Sequence, residues 1–141
     1  MNRQERYKRK LEFILEKIMH LPENIKDNEF YIDALFYRLQ VSIDAVMDVV
    51  AMSCKDLGIT VKDDYSNMDE LEKLKIFSPN LIQELRRWNG LRNVLVHKYN
   101  KIEEDLVLQE VDNVVKTLKI FVKEMEVLID EKFNLSEQDK E

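Results

Sequence analysis

The segment "FYRLQVSIDAVMDVVAMSCKDLGI", residues 36–59, decides the fold. Taken back to Glu29 it predicts one long apolar helix over Glu29–Leu57, with Gly58 placed as the C′ residue that ends it. Its apolar residues cover more than one stripe, so the helix is buried on two sides. One side faces its own bundle; the other faces either a partner, which makes a homodimer a reasonable expectation, or extra core contacts. Asp44 and Asp48 interrupt the run, and no apolar stretch of the chain approaches the ~20 residues needed to cross a bilayer.

Four further helices are expected around this one. The first covers about Arg3 to Met19, with Leu11, Ile14, Leu15 and Ile18 on one face, and "HLPENIKDN" breaks it. After the connector "ITVKDDYSN", a short helix from roughly Met68 to Ile76 follows Ser66 or Asn67 as N-cap. Ser78-Pro79 opens the next, with a cap and a Pro at N1; it carries Leu81, Leu85 and Trp88 inward and ends near Tyr99 or Asn100. The last, about Glu103 to Lys132, spaces Leu106, Val111, Val114, Leu118, Phe121, Met125 and Leu128 helically. The expected fold class is all-α: an antiparallel bundle of four long helices plus a short one, a single domain over residues 1–133 with a polar tail at 134–141.

Composition agrees. Two Gly and two Pro are too few for a turn-rich β domain, and 35% charged residues suit amphipathic helices. The lone Cys54 forms no internal disulfide and reads as a small buried hydrophobe. The N-terminal "MNRQERYKRK" is followed by no apolar signal region, so a soluble, cytoplasmic protein is expected. A net charge of −6 argues against broad nucleic-acid binding, yet Arg86, Arg87, Arg92, Lys98 and Lys101 fall between residues 86 and 101 with no Asp or Glu among them. Arg3, Arg6, Lys8, Arg9 and Lys10 crowd the first ten residues against Glu5. That N-terminal group is either a solvated arm or an extension of an RNA-binding surface.

The local basic segment holds "WNGLRNVLVHKYNK", residues 88–101, with one of two glycines and one of two histidines. Asn93 and His97, four apart, share a helix face, whereas Arg92 and His97, five apart, point about 140° from each other. Convergence requires the Arg side chain to wrap, the helix to end at the histidine, or a second copy of the motif across a dimer interface. Together, histidine can move protons near neutral pH, arginine can hold a phosphate and asparagine can orient the imidazole. That set suffices for RNA cleavage without a metal, the 2′-hydroxyl attacking its own phosphate. The residues by themselves also fit the commoner case of a satisfied polar seam, with the histidine capping helix-end carbonyls. No metal site suggests itself, since His20 and His97 are far apart in sequence and no Cys pair exists, and no cofactor is expected.

"RNVLVHKY", residues 92–99, resembles the R-x4-H-x-Y signature of the HepT-like toxins, a branch of the HEPN superfamily of helical ribonucleases. Arg92, His97 and Tyr99 match its three named positions, and Asn93 the polar residue that usually follows the arginine. The long second helix and the short third helix before "LRRWNGLRNVLVH" are also in the family's order, so the resemblance spans roughly Met1 to Phe133. It implies a homodimeric HEPN-like bundle with motifs from both protomers lining one cleft, acting as a metal-independent endoribonuclease toxin. It further implies a partner, an MntA-type minimal nucleotidyltransferase antitoxin that transfers AMP to the motif tyrosine, here Tyr99. On that basis Arg92 contacts phosphate and the transition state, His97 is general acid/base, Asn93 orients, and Tyr99 is the modification site. Arg86, Arg87, Lys98 and Lys101 are candidate RNA-backbone contacts.

Blander roles stand beside these. Asp44 and Asp48, on a stripe with Tyr37, Gln40 and Lys55, either position Arg92 or His97 or belong to a polar dimer seam or a solvated face. His20 reads as a helix C-terminal interaction, Trp88 as a core anchor rather than a base-stacking platform, and Gly90 as a point of close helix packing. A noncatalytic HEPN subunit that presents substrate to a nucleotidyltransferase, or a purely structural dimeric bundle, are the competing functions.

Overall fold

The computed structural model describes residues 2–22, 28–97 and 100–133. The helices are α1 (Arg3–Met19), α2 (Glu29–Asp56), α3 (Asp64–Lys73), α4 (Pro79–Val96) and α5 (Lys101–Leu128), with a π-helical turn, Ile129–Phe133, continuing the last. No strand occurs among the described residues. α1 packs on α2 and α5, α2 on α4, and α4 on α5, which closes a four-helix bundle; α3 rests against α2 and α4. The expected tail at 134–141 lies outside the described residues. Among the described residues, no helix is long and apolar enough to cross a membrane.

The two-sided burial of α2 is met largely within the chain. Leu35, Leu39, Ile43, Val46, Val50 and Cys54 are all buried, on faces taken up by α1, α3 and α4. Each of these Leu, Ile and Val side chains contributes about 1.5–3 kcal/mol when removed from water. The large apolar side chains that remain exposed on α2 are near its start: Phe30 at 83%, Tyr31 at 49% and Tyr37 at 60%. Gly58, with φ +79, takes the left-handed turn that ends the helix, as its position after the apolar run indicates.

Boundaries and phases differ from the sequence reading at five points. α3 starts earlier because Asp63, not Ser66 or Asn67, is the cap: its carboxylate accepts from the Ser66 N–H at 2.8 Å. Asn67 is used differently, accepting from the Lys62 N–H at 2.8 Å and donating to the Lys62 carbonyl at 3.2 Å. The helix stops at Lys73, short of Ile76, and Lys75 turns the chain with φ +56. α4 stops at Val96, ahead of Tyr99 and Asn100. α5 then begins at Lys101 under a capping box of Asn100 and Glu103, and its phase buries Val107 while Leu106 is 55% exposed.

The N-terminal basic group is no free arm. Arg3 already lies in α1 and is buried, its Nε 3.4 Å from Asp56 Oδ1. Tyr7 donates to Asp56 at 2.6 Å and stacks on Phe133 with ring centroids 5.0 Å apart. Burial, helped by Asp56, pushes the Tyr7 phenol well above its ordinary range. His20 is the C-cap of α1.

Candidate functional site

α4 presents the motif. Ser78 caps it by accepting from the Leu81 N–H, Pro79 occupies its first turn, and Ser78 also bonds the Glu124 carboxylate of α5 through both its N–H and its hydroxyl. Leu81, Ile82, Leu85, Trp88 and Leu95 are buried and fix the rotation of the helix. Trp88, 1% exposed, is a core anchor and offers no face for a base. With these residues inward, Arg92 and Asn93 fall toward the rim where α4 meets α2.

Arg92 is held on two sides. Its Nε donates to Asp44 Oδ1 of α2 at 2.5 Å, and its Nη1 donates to Asn93 Oδ1 at 3.3 Å. Asp48, one turn further on, lies apart from this pair and binds Lys10 Nζ of α1 at 2.9 Å. Asn93 therefore touches the arginine through its side chain. Its contact with His97 is through the backbone, its carbonyl accepting the His97 N–H at 3.2 Å.

His97 is the C-cap of α4, extended at φ −89 and ψ 168, and exposed. Of the three routes to convergence, the helix does end at the histidine. The imidazole therefore leaves the chain free of the direction that a continued helix would impose. Tyr99 and Lys98 lie outside the described residues.

Two neighbours of Arg92 were not singled out in the sequence. Asn89, one turn back and 3% exposed, lies beside Asp64 at the start of α3. Burial raises the Asp64 carboxyl above its ordinary value, and the Asp44 and Asp48 charges add to this, while the Asn89 amide and the Arg92 charge oppose it. A polar residue on the otherwise apolar face of α4 was the available signal for Asn89; Asp64 sits in what reads as a connector.

The other basic residues near the motif are engaged. Arg86 Nη2 is 2.5 Å from Asp69 and 3.1 Å from Glu72, and these hydrogen-bonded carboxylates raise its pKa. Arg87 is 3.0 Å from Glu110 and lies over the Trp88 ring, 4.8 Å from its centre. Lys101 pairs with Glu104 and Asp105 along α5. Each would have to release a carboxylate to meet a phosphate. Among the described residues, no group of three or more His, Cys, Asp or Glu could hold a metal ion. Gly90 is not a tight contact: a Cβ there would meet the Tyr65 hydroxyl at an ordinary 3.8 Å.

This bundle, with an Arg-x4-His motif closing its fourth helix beside an acid of the second, shares the fold of a solved HEPN toxin. The chain belongs to the HepT-like ribonuclease family, described as "Ribonuclease HepT-like", which matches residues 5–125. It is 41% identical over 128 residues to a protein of Archaeoglobus fulgidus named "Putative RNase", spanning 91% of this chain and 96% of that one. The backbone superposes on a tri-AMPylated Shewanella oneidensis HEPN toxin solved in complex with an MNT antitoxin, with TM-score 0.79, 19% identity, and coverage of 90% and 99% of the two chains. It also superposes on a chain of an MntA–HpeT toxin–antitoxin complex carrying a tyrosine-to-alanine substitution, with TM-score 0.77, 18% identity, and coverage of 86% and 98%.

Proposed function

We propose that this protein is an endoribonuclease toxin that cleaves RNA without a metal and is silenced by a nucleotidyltransferase antitoxin acting on Tyr99. The observation that carries the cleavage chemistry is the termination of α4 at His97, which frees the imidazole beside an arginine fixed by Asp44. His97 takes the proton from the RNA 2′-hydroxyl, whose oxygen bonds to phosphorus as the P–O5′ bond breaks. A second proton transfer, from the partner protomer's copy of the motif in the composite cleft, restores the 5′-hydroxyl. Arg92 holds the phosphate and the charge that builds on its oxygens. Exposed Phe30 and Tyr37 on α2, and Val96 next to His97, supply apolar surface for a second protomer.

The antitoxin reading rests on the tri-AMPylated HEPN toxin whose fold this chain shares. AMP on Tyr99 would place phosphate charge and a nucleotide two residues from His97, repelling and blocking an RNA backbone. The test is cleavage of RNA by unmodified protein with EDTA present, leaving 2′,3′-cyclic phosphate ends, and its loss in His97→Ala. Full-rate cleavage by His97→Ala overturns the mechanism. Intact mass after incubation with ATP and the antitoxin tests Tyr99 separately, with Tyr99→Phe as the control.

A further inference from the structure

We propose that the groove between α1 and α2 is the channel for the single-stranded RNA flanking the cleaved phosphate. Phe13, Val41, Ala45 and Met52 contribute its apolar surface, and Arg6, Arg9 and Lys10 of α1 the charge. Its volume, about 530 Å³, falls in the ~300–1,000 Å³ range of small-molecule and cofactor sites. This rests on the ribonuclease reading and specifies where its substrate lies.

Continuity with the motif comes first. Asp44 lines the groove and also binds Arg92 at 2.5 Å, so one side chain separates the groove from the residue assigned to the phosphate. Charge comes second. Asp44 is neutralised by Arg92, and Asp48 by Lys10. Among the described residues no carboxylate lies within ion-pair distance of Arg6 or Arg9, and these two cations remain uncompensated on the groove. This is the reverse of Arg86, Arg87 and Lys101, each already bound to acids.

The apolar surface matters too. Phe13 is 38% exposed in the groove, and bases stack on such rings without regard to sequence. A strand leaving Arg92 would set its phosphates toward Arg6 and Arg9 and its bases against Phe13 and Met52. A second copy of this chain fits less well, because Arg6 and Arg9 would add like charge to its interface.

The test is fluorescence anisotropy of a labelled single-stranded RNA, across salt concentrations, on wild type and Arg6→Gln/Arg9→Gln. Removing two phosphate contacts lowers the log–log salt slope by about 1.4, so between about 50 and 200 mM salt the wild type loses about sevenfold more affinity than the variant. Phe13→Ser weakens binding with no change in slope. If the wild type binds and cuts RNA but the double variant matches it in affinity and slope, the groove assignment falls and the ribonuclease reading stands. If the wild type neither binds nor cuts RNA, both fall. An unchanged slope with sedimentation showing a dimer broken into monomers makes the groove a protomer interface and overturns the proposal.

Discussion

Arg92 Nε lies 2.5 Å from Asp44 Oδ1, a contact between residues 48 positions apart that joins α4 to α2 at the motif. Both side chains remain about one-third exposed, so the pair adds at most about 1 kcal/mol to stability. Its consequence is orientation. With Nε fixed by Asp44 and Nη1 by Asn93, the guanidinium has little freedom to turn away from a phosphate. Asp44→Ala is expected to lower kcat/KM for RNA by roughly 10- to 100-fold, the usual cost of a misplaced contact. In an Arg92→Ala background the same change should have no further effect. Additive losses in that cycle would show Asp44 acting independently of Arg92.

The two glycines should respond in opposite directions. Gly90 lies within α4 with room for a methyl, and Gly90→Ala is expected to stabilise by about 0.8–1 kcal/mol with cleavage unchanged. Gly58 has φ +79, and Gly58→Ala is expected to destabilise by about 1–2 kcal/mol although nothing crowds the new atom. Urea unfolding of both variants checks the pair, and equal shifts would sink the backbone argument.

Ser78 serves two helices, and its replacement separates the roles. Ser78→Ala removes the α4 cap and the hydroxyl bond to Glu124, at about 1 kcal/mol. Aspartate caps helices as well as serine does, but here it would face Glu124. Ser78→Asp should therefore be no better than Ser78→Ala, and combining it with Glu124→Gln should recover stability. Thermal melts of the three variants provide the measurement.

Asp64 sets a pH dependence with a definite sign. Its folded-state pKa is raised, chiefly by burial, above the ~3.9 of an unfolded aspartate. The folded chain holds this proton more tightly, so the stabilising contribution is full below the unfolded value and is lost as pH rises through the folded one. Asp64→Asn should remove that decline. The difference in urea midpoint between wild type and Asp64→Asn should move in the variant's favour from about pH 3.5 to 7, and a constant difference would refute it.

The legible parts of this protein were those written in local chemistry. Ser78 caps α4 within three residues of the group it serves, and Gly58 ends α2 through its own backbone freedom. Helical spacing placed Leu85, Trp88, Leu118 and Phe121 in the core. Where two local signals competed, as at Asp63 against Ser66, or where burial depended on which neighbour a helix met, as at Leu106 and Val107, the reading slipped by a few positions.

The motif divides in the same way. The residues of "RNVLVHKY" and their 140° disagreement on a regular helix are properties of the sequence, as is the resemblance they carry. That α4 stops at His97, that Asp44 rather than Asp48 takes Arg92, and that Arg86 and Arg87 are bound to acids are not. The ion pairs among them join residues 14 to 48 positions apart, and helical period constrains neighbours within about a turn. Which carboxylate reaches which arginine depends on how two helices are rotated against each other, and the packing of the whole bundle sets that rotation.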